Sequence, residues 1–298
     1  MTQSSTRRRR DWLLRPSVAR IDNFFLSGSD HYPPDRHLAG LLYEEAPWLP
    51  DMVLINQQHR PKAVTALARD LGIRRFVDLG CGLPSAWNRR LQQAGSTYDA
   101  ASAVHPDAHV VYVDNDPMVG GHARMTLCES VPGTASVEAD IRQIHALLQH
   151  PRIEGLRTEP VAVPLHDLLP WMSDESAWTV MTALHVWLPA GSAISVTHTS
   201  SDMAPEAMKT LTNHYANAGI TYRPRTLDEI KTLLDPWTPL PPGITPTSQW
   251  PTPSRKSTAL SLRTPHPGHS FAYAALAVPG TPSDPASPTA ARTPKAAS

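Results

Sequence analysis

Three short stretches carry residue types able to hold a polar small molecule: "FVDLGCGLPS" (76–85), "VVYVDNDPM" (110–118) and "VEADIR" (137–142). In the first, Gly80 and Gly82 flank Cys81 after an apolar run, so the backbone can take unusual dihedrals and approach a ligand closely. With 15 glycines in 298 residues, about one Gly-x-Gly arises by chance. The turn therefore takes its meaning from its place at a strand end, where a plain tight turn is the competing reading. In the second stretch Asp114 ends a strand beside the turn, where a carboxylate accepts the two hydroxyls of a ribose. Asn115 or Asp116 can cap the following helix, with Pro117 in its first turn. Two capping acids and no ligand is the alternative. In the third, Asp140 can accept from the exocyclic amine of adenine while Ile141 packs on the ring; a helix cap explains a lone acid there equally well.

Taken together, a glycine turn and an acid after each of the next two strands favour an adenosyl ligand. The dinucleotide fingerprint G-x-G-x-x-G has Ser85 where its third glycine belongs, and the phosphate-binding G-x-x-x-x-G-K-[ST] string is absent from the sequence. Asp78, two residues before Gly80, gives the acid-then-glycine pattern of class I S-adenosylmethionine sites; a carboxylate there orients the turn, helps hold the methionine ammonium and repels a pyrophosphate. One spacing is irregular. Gly80 and Asp114 lie 34 residues apart, against roughly 20 in the dinucleotide motif, and "AGSTYDAASAVHP" (94–106) reads as an insertion that lengthens the first crossover.

The elements that must position these residues alternate. Strands are expected at 74–80, 108–116, 134–141, 160–169 (weakened by Pro164), 192–198 and 270–278. Between them helical patterns run over 87–93, 117–128, 141–148, 171–188 and 205–218. Such alternation argues for an α/β fold with a parallel sheet covered on both faces. Before the first strand, 12–30 is helical in pattern, 35–57 is helical in pieces broken at Pro47 and Pro50, and a separate helix over 62–71 starts at Pro61 and stops at Gly72. Thr226 and Glu229 form a capping box for a later helix. The expected organisation is a basic flexible arm (1–14), a helical N-terminal cap (15–58), a core (59–279) and a disordered Pro/Ala/Ser-rich tail (280–298).

Composition narrows the function classes. The 27 basic residues balance 27 acidic ones, so a broad electrostatic grip on nucleic acid or an anionic membrane is not expected. No run is long and apolar enough for a membrane span. Arg7–Arg10 resemble an export signal, but Asp11, Arg15 and Pro16 interrupt the place of its apolar region. The two cysteines, Cys81 and Cys128, are too few for a disulfide framework, which points to the cytoplasm.

The strings "RPSVARIDNFFLSGSDHYPPDR", "INQQHR", "FVDLGCGLPS", "VVYVDNDPMV" and "TASVEADIR" resemble a family of S-adenosylmethionine-dependent methyltransferases found mainly in actinomycetes, with largely unassigned substrates. The likeness runs from about Arg15 to about Val278. It implies a Rossmann-like, doubly wound, mostly parallel seven-stranded sheet with a helical cap over the cofactor. Family patterns fall on Arg15, Ser17, Arg20, Gly28 and Asp30 in the cap and on Asp78, Gly80, Gly82, Asp114 and Asp140 in the core. The expected S-adenosyl-L-methionine contacts are Ser17, Arg20, Asp30, Asp78, Gly80, Cys81, Gly82, Asp114, Asn115, Asp140 and Ile141. The family commonly has threonine at the position of Cys81. His166 keeps the histidine at the exit of the fourth strand and is the candidate base, with His198 a second. No metal is expected.

The function this implies is methyl transfer to an unidentified, small-molecule acceptor. The alternatives are a regulatory or interaction protein that binds adenosylmethionine without transfer, and an NAD-dependent oxidoreductase, disfavoured by Ser85 and Asp78. The N-P-P-Y signature is absent, which disfavours methylation of DNA bases.

Overall fold

The computed structural model describes residues 12–84, 95–129, 131–251 and 266–280. Most of the basic arm (1–11), Ser85, the helix read over 87–93 and the tail from 281 onward lie outside the described residues.

The sheet is built from β1 (Arg75–Leu79), β2 (His109–Asp114), β3 (Thr134–Glu138), β4 (Val161–His166), β5 (Ala193–Thr199), β6 (Trp237–Pro239), β7 (Thr245–Pro246) and β8 (Ala272–Pro279). Its main path is β3-β2-β1-β4-β5-β8-β6, seven strands, with the two-residue β7 pairing β8 off that path. The first five are mutually parallel, and β8 runs antiparallel to β5 and β6. The order reverses between β1 and β4, and in such sheets ligands bind outside the carboxyl ends of the strands at that point.

Alternation along each strand divides the core. Val77, Leu79, Val111, Val113, Val163, Leu165, Ile194 and Val196 face one layer. Phe76, Val110, Tyr112, Ala162 and Ala193 face the other. Both faces are buried, as a parallel sheet flanked by helices requires. The helices are α1 (Val18–Phe25), α2 (Pro33–Glu45), α3 (Leu49–Leu71), α4 (Thr97–Ser102), α5 (Pro117–His122), α6 (Ile144–Leu148), α7 (Pro151–Glu154), α8 (Asp174–Trp187), α9 (Pro205–Asn217) and α10 (Leu227–Leu233). A third apolar cluster joins Ile21, Phe25, Leu38, Leu42 and Met52 of the N-terminal helices to Met208, Leu211 and Tyr215 of α9. It holds the segment before β1 against the carboxyl end of the sheet.

Three details differ from the reading of the sequence. First, α3 is one helix from Leu49 to Leu71, with Pro50 in its first turn and Pro61 inside it. It therefore runs across position 58, where the cap was expected to give way to the core. Pro50 occupies a position whose N–H has no helical partner to lose. Pro61 does remove one, but Met52, Val53 and Ile55 before it and Ala63, Val64 and Leu67 after it are buried, so packing carries the helix across. Gly72 ends it at φ 67°. Second, β6 and β7 lie in a proline-rich segment that was not read as strand; short edge strands tolerate proline. Third, Pro164 leaves β4 intact. Pairing to β5 continues through Pro164 to His166, whereas pairing to β1 stops at Phe76↔Ala162, because a residue without an N–H cannot donate to that ladder. Within the described part of the expected crossover insertion, α4 starts on a capping box of Ser96 and Asp99. The capping box of Thr226 and Glu229 on α10 is present as read.

Candidate active site

A cavity of about 450 Å³ opens where the carboxyl ends of β1 to β4 meet the N-terminal segment, within the usual size range of small-molecule sites. The turn after β1 folds back on its neighbour: the Gly80 and Cys81 N–H groups donate to the Val113 carbonyl at 2.8 and 3.1 Å. Gly80 has φ 67° and Gly82 φ 66°. A Cβ on Gly80 would come within 2.7 Å of Leu168 Cδ1. One on Gly82 would meet nothing within 4 Å, so a side chain there would stand in the cavity that Gly82 lines.

Asp114 ties the turn to the next strand. Its Oδ2 accepts from the Gly82 N–H at 3.0 Å and its Oδ1 from the Asp116 N–H at 2.9 Å. Burial pushes its carboxyl up to about 6, against the opposing effect of those N–H bonds. Asp116 is the helix cap the sequence suggested, accepting from Met118 N–H at 2.8 Å. It also anchors the N-terminal segment. Arg20, 2% exposed, donates from Nη1 to Asp116 and from Nε to Asp35 of α2, both at 2.9 Å. It also donates to the carbonyls of Trp12 and Arg15. The Ser17 hydroxyl donates to Asp116 and the Ser17 N–H to Asp35. The stretch 12–20 is thus strapped over the cavity, which Trp12 and the run from Arg15 to Arg20 line.

After β3, Asp140 caps a short helical turn through Arg142 N–H at 2.9 Å and takes the Arg142 guanidinium on both oxygens. Hydrogen bonding to Arg142 holds its carboxyl below the usual range. Asp140, Ile141 and Arg142 all line the cavity.

The wall from α3 was not read from residue spacing. Asn56 and Arg60, four apart on one helical face, line the cavity. Arg60 Nη1 donates to the Cys81 carbonyl at 2.7 Å. Its Nε and both amide atoms of Asn56 are buried without a hydrogen-bond partner. The fourth wall is the exit of β4. His166 Nε2 pairs with Ser195 Oγ at 2.7 Å, while its Nδ1 is buried and unpartnered. Burial, helped by His59 and Arg60, takes its basicity well below that of a free histidine. Asp167 follows at φ 51°, a left-handed conformation that aspartate tolerates better than most residues. Its Oδ1 accepts from Thr199 Oγ1 at 2.8 Å; burial raises its carboxyl to about 7. Asp22 of α1 and Trp171 complete this side.

Of the residues singled out from the sequence, Ser17, Arg20, Gly80, Gly82, Asp114, Asn115, Asp140, Ile141 and His166 line this one cavity. Asp30, Asp78 and Cys81 do not. The Asp30 carboxylate lies 3.9 Å from His122 Nε2 on α5. Asp78 is buried behind the turn and accepts from Thr97 Oγ1 at 2.6 Å. Cys81 presents its carbonyl to Arg60, and burial raises its thiol. His198 is also away from the cavity; it accepts from Arg225 Nη1 at 2.9 Å, and burial lowers its pKa to about 3. Among the described residues no group of three or more His, Cys, Asp or Glu is arranged to hold a metal. Nor is any helix among them long and apolar enough to cross a membrane.

A doubly wound sheet with a glycine turn after β1, an acid at the end of β2 and an acid after β3, all at one cavity, has the layout of a nucleotide-binding α/β protein. The chain belongs to the S-adenosyl methyltransferase family, whose model matches residues 5–279. It is accordingly an S-adenosylmethionine-dependent methyltransferase. Among solved structures it is similar to a candidate methyltransferase from Thermobifida fusca YX, at 29% identity and TM-score 0.77, covering 90% of this chain and 96% of that one. It is also similar to a DUF574 family protein from Streptomyces avermitilis MA-4680, at 28% identity and TM-score 0.78, covering 89% of this chain and 98% of that one. No curated protein matches the chain.

Proposed function

We propose that this cavity holds both S-adenosylmethionine and a small-molecule acceptor, and that the protein works in the cytoplasm. The observation that carries the reading is Asp114. Its two oxygens brace the glycine turn and the α5 cap while the residue lines the cavity, as a ribose-binding carboxylate should. The residues fit the cofactor by their chemistry. Asp114 and Asn115 would take the ribose, Asp140 and Ile141 the adenine, and the open face of Gly82 the linking region. The unpartnered Arg60 Nε suits the methionine carboxylate. Bound there, the cofactor supplies an electrophilic methyl carbon on a sulfonium.

The protein contributes position and electrostatics. The strap of residues 12–20 shields the cavity from water. His166 is a weak base because of its burial, so we assign it to shaping the wall through Ser195. Asp167, raised to about 7, is better matched to taking a proton near neutral pH. Asp30, Asp78 and Cys81 act from outside the cavity, by holding the cap and the turn.

The test is incubation of the full-length protein with methyl-labelled adenosylmethionine and a fractionated small-molecule extract. Label in a low-molecular-mass fraction supports the reading. Label confined to nucleic acid or protein refutes it, and cofactor binding without transfer to any fraction favours the regulatory alternative.

A further inference from the structure

We infer that Asp22 and Asp167 form an ammonium subsite in the acceptor half of the cavity, making the acceptor an amine that Asp167 deprotonates. This rests on the methyltransferase reading and narrows it to nitrogen.

The two carboxylates reach the same cavity from different elements, Asp22 from α1 and Asp167 from the exit of β4. The Asp22 carboxylate makes no hydrogen bond or ion pair with any described residue. Burial and the neighbouring charge of Asp167 both disfavour its ionised form, and Arg60 only partly offsets them. Arg60 donates from Nη1 to the Cys81 carbonyl and makes no hydrogen bond or ion pair with Asp22. The other titratable groups near the pair are His166 and the buried Tyr215 and Tyr222, whose hydroxyls are held neutral by burial and by the two acids. Among the described residues no cation is therefore in an ion pair with either acid. A second, independent sign of a ligand is Asn56. It is 7% exposed, lines the same cavity and leaves both amide atoms without a partner.

The surrounding wall suits an organic ammonium. Trp171 lines the cavity, its ring stacked on Tyr222 at 4.5 Å and met edge-on by Tyr215 at 5.0 Å. A fixed aromatic face beside two carboxylates favours a cation over a neutral hydroxyl. The proton step balances simply. An N–H proton passes from the bound ammonium to the Asp167 carboxylate, the bonding pair stays on nitrogen as the attacking lone pair, and the carboxylic acid later gives the proton to water. Thr199 Oγ1 fixes the carboxylate for this by its bond to Oδ1.

The source of the ammonium must be separated from the cofactor's own methionine end. The wild type and the Asp22→Asn and Asp167→Asn variants are titrated calorimetrically with adenosylhomocysteine and with 5′-methylthioadenosine, which lacks the amino-acid group. The adenosylhomocysteine-loaded proteins are then titrated with phenethylamine and with 2-phenylethanol. The inference expects both nucleosides to bind all three proteins within threefold of wild type. It expects phenethylamine to bind wild type at least tenfold more tightly than the alcohol, and either asparagine variant to lose that preference. Equal binding of amine and alcohol to wild type overturns it, as does a preference that survives Asp22→Asn. A loss of adenosylhomocysteine binding with methylthioadenosine binding kept also overturns it, by assigning the acids to the cofactor. Failure of wild type to bind adenosylhomocysteine would instead sink the parent reading.

Discussion

The strap over the cavity hangs on one buried guanidinium, and its removal has a calculable effect. Arg20, Asp35 and Asp116 are 2%, 0% and 6% exposed, and each carboxylate is 2.9 Å from the guanidinium. Arg20→Met keeps the bulk of the stem but leaves two buried carboxylates without their cation. Breaking a buried pair in this way costs about 3–5 kcal/mol. Asp35 retains N–H donors from Ser17 and Tyr32, and Asp116 retains Met118 N–H and the Ser17 hydroxyl. The loss should therefore sit near the lower end, about 3 kcal/mol. Arg20→Lys should recover less than half of it, because one ammonium cannot reproduce the planar fork. Urea unfolding of wild type, Arg20→Met, Asp116→Asn and the double variant forms a cycle with an expected coupling of roughly 1–3 kcal/mol. Adenosylhomocysteine affinity should fall at least tenfold in Arg20→Met, since Trp12 and the run from Arg15 to Arg20 line the cavity. Coupling below about 0.5 kcal/mol, or unchanged affinity, would refute the argument that this ion pair holds the strap.

Three further expectations follow from the same geometry. Gly80→Ala combines a left-handed φ with a 2.7 Å approach to Leu168 Cδ1; it should destabilise by about 1–3 kcal/mol and weaken adenosylhomocysteine binding, seen by urea unfolding and calorimetry. Asp114 titrates near 6 in the free protein, and ribose hydroxyls prefer its ionised form. Calorimetry should therefore show constant adenosylhomocysteine affinity well above pH 6 and a fall of about tenfold per pH unit below it, a profile that Asp114→Asn flattens. For folding the sign is opposite. The native pKa is raised, so the native state holds the proton between roughly pH 4 and 6, and this group's stabilising contribution is lost as pH rises through that window. Thr97→Val removes the hydroxyl that Asp78 Oδ2 accepts from; Asp78 Oδ1 is already unpartnered, so a loss of about 1–3 kcal/mol in unfolding free energy is expected.

The sheet was largely legible because strands buried on both faces leave continuous apolar runs between turn residues. β6 and β7 were not, because Pro239 and Pro246 obey edge-strand rules that depend on a neighbour far along the chain. Pro61 looked like a helix start because local chemistry says so; tertiary packing on both sides of it decided otherwise. In the site, Gly80, Gly82, Asp114 and Asp140 stood out because each follows a strand end. Asp78 has the right type and spacing, yet its side chain goes to Thr97, a residue in the crossover insertion that spacing alone could not place. Asn56 and Arg60 carried a usable signal, a polar pair four apart on one face of a helix, within a string noted only for its resemblance. Asp22 and Asp167 carried none. Their meeting depends on how α1 lies over the sheet, and the left-handed turn at Asp167 is invisible in its letter.

The most direct test of the central claim is calorimetric titration of the full-length protein, wild type and Asp114→Ala, with S-adenosylmethionine and with NAD. The account predicts that wild type binds S-adenosylmethionine, that Asp114→Ala weakens this at least tenfold, and that neither protein binds NAD. Binding of NAD without S-adenosylmethionine, or S-adenosylmethionine binding indifferent to Asp114, would contradict it.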